Sequence, residues 1–163
     1  MKRLVLSVAI AVAALLASQG AAMAETTTGA ANLHQFHGSG VSGTMSYMDT
    51  GNAASGLMVD GTAQGLTPGQ AYLSLFYDNG SKVAGQDPCS PSARDNISFP
   101  QMFIGPWKVN PDGTGSLHVV KTGASYVPLD MVHTQSIRHV IHFPPMSEAD
   151  APVVACGEVH DVA

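Results

Sequence analysis

GLTPGQAYLSLFYDNGS, residues Gly65 to Ser81, is the stretch on which the fold turns. Gly65, Pro68 and Gly69 set a tight turn, because glycine tolerates backbone angles closed to other residues and proline fixes its own. After the turn, Tyr72, Ser74 and Phe76 alternate with Leu73, Leu75 and Tyr77. Successive side chains of a strand point to opposite faces, so this predicts a strand with one apolar and one mixed face.

The same grammar extends in both directions. VSGTMSYMD from Val41 and SGLMVDGTAQ before the turn read as strands, and IGPWKVNPDGTGSLHVVKTG reads as two strands about an Asn-Pro-Asp-Gly turn. SIRHVIHF alternates clearly, and APVVACGEVHDV supplies a last strand. No segment holds a helical period over three turns. Short strands, closely spaced turn signals and 17 glycines predict an all-β sandwich or barrel. Residues 25–40, ETTTGAANLHQFHGSG, are small and polar and read as a flexible N-terminal arm. The passage NGSKVAGQDPCSPSARDNISFPQMF is a long irregular loop, a length that calls for a function or a tether.

The chain opens MKRLVLSVAIAVAALLASQGAAMAE. A basic start, a short apolar run and Ala22-Met23-Ala24 predict a bacterial signal peptide over residues 1–24, export to the periplasm or beyond, and a mature start at Glu25. The apolar run falls short of the roughly 20 residues a membrane-spanning helix needs, and no second run follows. Removing 24 of the 163 residues leaves 139, enough for one packed core. Two of the seven basic residues go with the signal and none of the twelve acidic ones, so the formal charge becomes −7. Such a surface, without a Lys/Arg cluster, argues against a nucleic-acid partner. Cys89 and Cys156 are the only cysteines, and an even count in an exported chain predicts a disulfide.

Taken in order, Gly65-Leu66-Thr67-Pro68-Gly69, Cys89, Asp112-Gly113, Val140-Ile141-His142 and Ala155-Cys156-Gly157 resemble the copper/zinc superoxide dismutase family. The resemblance spans about residues 41 to 160 and implies an eight-stranded Greek-key β-barrel over 41–163. It also implies a Cys89–Cys156 bridge tying the long loop to the last strand. It does not carry the metal chemistry. The family's copper-binding H-x-H pair aligns with Ser74 and Phe76, and neither side chain replaces an imidazole. No histidine lies between Cys89 and His118 to bridge two metals, and Val153 stands where the family places an anion-guiding arginine. Of the copper ligands only His142 matches.

The remaining histidines leave other metal sites open. His34 and His37 form an H-x-x-H pair that reads as two solvated tail residues or as a copper- or zinc-capturing arm, aided by Met45 and Met48. Two-residue periodicity puts those methionines on opposite faces, and does the same to His139 and His142. A His118/His133/His142 cluster requires the barrel to bring the three together. His160 has no evident partner. The expectation is therefore a binding or structural module that holds no cofactor and recognises an unidentified protein or small molecule. The alternative is a copper protein or residual dismutase built on relocated histidines.

Overall fold

The computed structural model describes residues 25–77, 89, 97, 100–140 and 151–162. The expected signal peptide, residues 1–24, and His142 lie outside them. The described chain is antiparallel β throughout, with ten short strands and two single-turn 3-10 segments. The strands are β1 Thr27–Gln35, β2 Ser42–Asp49, β3 Leu57–Gln64, β4 Ala71–Tyr77, β5 Phe103–Pro106, β6 Lys108–Val109, β7 Gly115–Lys121, β8 Thr134–Val140, β9 Val153–Glu158 and β10 His160–Asp161.

Their order is β5-β4-β8-β9-β1-β2-β3-β7-β6, with β10 pairing to β1. The two ends of this path are consecutive pieces of one chain run, interrupted only at Trp107. β5 pairs with β4 while β6 pairs with β7, and the Trp107 amide donates to Tyr72 O at 2.9 Å. One bending segment therefore joins both sheet ends and nearly closes a barrel, which removes exposed strand edges.

Inward residues keep the two-residue period. Met45 and Tyr47 from β2, Leu57 and Val59 from β3, Tyr72 and Phe76 from β4, Leu117 from β7 and Ile137 from β8 meet in one core with Trp107. Gly65 adopts φ +80° in the turn before β4, and a Cβ there would stand 2.2 Å from Gly40 O. Glycine is required at that crossing on both counts.

The flexible-arm expectation for residues 25–40 is overturned. Residues 27–35 form β1, which lies between β2 and β9, with Ala31 and Leu33 buried at 1% and 2% exposure. The alternation is present at Gly29, Ala31 and Leu33, but two of its three inward residues are too small to register as an apolar face. The barrel thus begins at Thr27, not at Val41. The strand count also differs from eight, because β5 and β6 are halves of one bent strand and β10 continues β9 after Val159.

Candidate functional site

The strand with the metal-binding cadence, β4, is buried on both faces beyond its first residue. Ser74 and Phe76 both point into the barrel and are fully buried. Ser74 Oγ accepts from Trp107 Nε1 at 2.9 Å and from Gln135 Nε2 at 3.1 Å, and Gln135 Oε1 accepts from the Tyr47 hydroxyl. Buried polar atoms of β2, β4, β8 and Trp107 are thereby satisfied across the interior, as burial demands. Burial also pushes the Tyr47 phenol well above its ordinary range, so it remains a neutral donor. This is structural polar chemistry, with no nucleophile–base pair in it.

The opposite side of β4 faces outward. Leu73, Leu75 and Tyr77 nevertheless stay buried, forming a second apolar cluster with Val140 from β8 and with Met102 and Phe103. Thr134, Ser136 and Arg138 of β8 share this outward face and are equally buried. Arg138 Nη1 donates to Ala151 O at 3.0 Å, and its guanidinium carbon stands 5.3 Å from the Tyr77 ring, a cation–π distance. Cys156 lies opposite Ser136 in the β8–β9 ladder and is bonded to Cys89, with Cα atoms 5.7 Å apart. The predicted disulfide therefore fastens the chain beyond β4 onto this face. Gly157 beside it lets β9 approach β1, since a Cβ there would meet Asn32 O at 2.2 Å.

The histidines are distributed around the barrel and not gathered. His34 sits on the outer side of β1, opposite Cys156, in a cleft of about 380 Å³ that Glu158 and His160 also line. His37 lies in the turn after β1 at φ 51°, edge-on to Phe36 with ring centroids 4.2 Å apart. His133 precedes β8, its amide donating to Tyr77 O. His139 bonds Gln70 Oε1 at 2.9 Å and stacks on Tyr72. His118 is on β7, on the far side of the barrel, with Nδ1 2.6 Å from Asp60 Oδ1. Among the described residues no three His, Cys, Asp or Glu side chains converge to hold a metal ion. In particular, His118 and His133 belong to different parts of the barrel wall and do not come together as the expected cluster requires. Met45 and Met48 do face opposite ways, at 3% and 43% exposure.

Sequence reasoning passed over the buried charges. Asp49 is buried and accepts from Gly51 N, the Tyr126 hydroxyl and Leu129 N at 2.8–2.9 Å, closing one end of the barrel. Burial first, and the Asp49 bond second, raise Tyr126 to about 12. Lys121 is 2% exposed, donates to Phe103 O, and is lowered to about 8 by burial. Its place in the alternation Leu117, Val119, Lys121 is the signal that marks it as inward.

No helix among the described residues is long and apolar enough to cross a membrane. No protein-family model matches the sequence, and no curated protein does. Among solved structures the chain is similar to the crystal structure of the clock protein EA4, at 13% identity and a TM-score of 0.53, covering 83% of this chain and 95% of that one. At that identity the likeness is one of fold: an all-β, antiparallel, nearly closed barrel.

Proposed function

We propose that this chain is an exported β-barrel of the copper/zinc superoxide dismutase type that has lost the metal chemistry and serves as a binding or structural module in the periplasm. The observation that carries the reading is the orientation of Ser74 and Phe76. Both side chains are fully buried in the barrel interior, so the positions aligned with the copper-binding pair belong to the packing core. A histidine at position 74 would have to displace Gln135 or Trp107 before it could meet an ion, and such overpacking costs about 1–3 kcal/mol. One at position 76 would bury a polar imidazole against Tyr47 in the apolar core. Among the described residues, the side chains at these positions do not fit a dismutase copper centre. The cation across the ladder from Val153, Arg138, is buried against Tyr77 and Ala151 and so does not serve as an exposed guide for an anion. The acidic mature surface repels superoxide in addition.

Copper-loaded mature protein, freed of loose ion by a mild chelator, should show dismutation no faster than the chelated blank. Ser74→His with Phe76→His should not restore it and should lower stability. Chelator-resistant activity that disappears in His142→Ala would overturn the reading and make the protein an enzyme.

A further inference from the structure

A disulfide that serves only as a staple is safest where no thiolate reaches it, because exchange begins with attack of a thiolate on sulfur. The Cys89–Cys156 bridge is not shielded in this way. Both half-cystines line the cleft of about 380 Å³ beside β1 and β9, together with Asn32, His34, Glu158 and His160. Their exposure is unequal: Cys89 is half-buried, whereas Cys156 is buried at 3%. A thiolate entering the cleft therefore meets Cys89 Sγ, and Cys156 Sγ is the sulfur that leaves.

The leaving sulfur has an imidazole beside it. His34 stands directly opposite Cys156 in the β1–β9 ladder, and their neighbours Leu33 and Ala155 point into the core, so both lie on the outer side. The register holds in both directions. Phe36 N donates to Val154 O at 2.9 Å, and Ala30 pairs with His160 in the same alignment. Directly opposed residues have Cβ atoms about 5 Å apart, so the imidazole reaches the sulfur across from it. A protonated imidazole next to a cysteine stabilises the thiolate and hastens its departure. Among the described residues no lysine or arginine lines the cleft. His160 sits opposite Ala30, four residues or about 13 Å along the strand from His34, and does not take its place.

We propose that this cleft is a thiol–disulfide exchange site for a dithiol, with Cys89 as the sulfur attacked and His34 as proton donor to Cys156. One thiolate of the dithiol bonds to Cys89 Sγ, and the Cys89–Cys156 bond breaks. Cys156 Sγ keeps the electron pair and takes a proton from His34. The second thiol of the dithiol returns a proton to the imidazole and attacks its own partner in the mixed disulfide. Cys89 is released and takes up the proton that the first thiol gave to water. Two electrons and two protons pass to the bridge, and the dithiol becomes a disulfide. A monothiol stops short, because Cys156, held between β8 and β1, attacks the mixed disulfide and expels it. None of these steps draws on the side chains at the lost dismutase centre.

The oxidised mature protein is treated with dithiothreitol without denaturant while free thiols are counted. Both cysteines should be reduced faster than the protein unfolds, at a rate that urea below the unfolding transition does not change. Glutathione, quenched with acid, should leave a trace adduct on Cys89 by mass spectrometry. His34→Gln should slow reduction at least about tenfold with the melting temperature unchanged. His160→Gln should leave the rate as it is. Reduction that proceeds only at the rate of unfolding, or a glutathione adduct on Cys156, would overturn the proposal, as would a rate indifferent to His34→Gln. The first two are read on the unaltered protein and decide the matter however the variant folds.

Discussion

The barrel has two outward faces built from the same kind of strand, and they are treated in opposite ways. On β4, β8 and β9 every outward side chain from Leu73 to Tyr77 and from Thr134 to Val140 is buried, and a disulfide is anchored there. On β2, β3 and β7 the outward residues Thr44, Ser46, Met48, Thr62, Ser116, His118 and Val120 are all exposed. An outward face can be buried only if more of the molecule is held against it, so the first face is part of the folding problem. The second is a display surface. Stability should therefore reside in the first, and substitutions on the second should cost little.

The largest test of that division is Cys156→Ser. The bridge joins residues 67 apart, and in the chain-entropy model closing such a loop contributes about 4 kcal/mol. A small domain's whole stability is of order 5–15 kcal/mol, so the variant should melt at least about ten degrees lower. A calorimetric loss of only a degree or two would mean that the covered face holds together without its staple.

Next in size is the pH dependence imposed by Lys121, which marks the end of the barrel between the two faces. Its ammonium is lowered to about 8 by burial, against roughly 10.4 for an exposed lysine. Between those values the unfolded chain binds more protons than the folded one, so stability rises with pH across that window. Below pH 8 both states are charged and the cost of burying the charge is constant. Above pH 10 the trend reverses, because Tyr47 and Tyr126 are raised in the fold and ionise first in the unfolded chain. Denaturant midpoints from about pH 7 to 11 should pass through a maximum near 10. Lys121→Met should flatten the rising limb, and a slope surviving that change would assign it to another group.

Much of the architecture was legible because period-2 alternation and turn chemistry are local. The strand from Ala71 to Tyr77, the Asn110–Gly113 turn and the opposed orientation of Met45 and Met48 all arise from neighbours in sequence. β1 was not legible, since Gly29 and Ala31 carry too little apolar surface to reveal an inward face, and its pairing with β9 joins residues more than a hundred positions apart. The site was harder still. Alternation divides β4 into two faces without saying which one meets the core, so Ser74 and Phe76 could be recognised as poor ligands but not as interior residues. The His118–Asp60 pair depends on the register of β3 and β7, and His118 reads as an isolated histidine until Asp60 is placed beside it.

The smallest predicted effect probes the open face directly. Thr62 stands between Thr44 and Ser116 on β2, β3 and β7, with its hydroxyl 3.1 Å from that of Thr44. Both hydroxyls are exposed, so water replaces either partner when the other is removed, and the net worth of the bond is small. Threonine's preference for strands over alanine adds a few tenths of a kcal/mol. Thr62→Ala should therefore shift stability by no more than about 0.5 kcal/mol, one or two degrees in a domain of this size. A loss above about 1.5 kcal/mol would show that this face, too, is a packing surface whose cover is supplied by a partner or a second copy. A change within the expected range means that this face contributes little to folding, so its residues can be replaced without cost to the barrel beneath them.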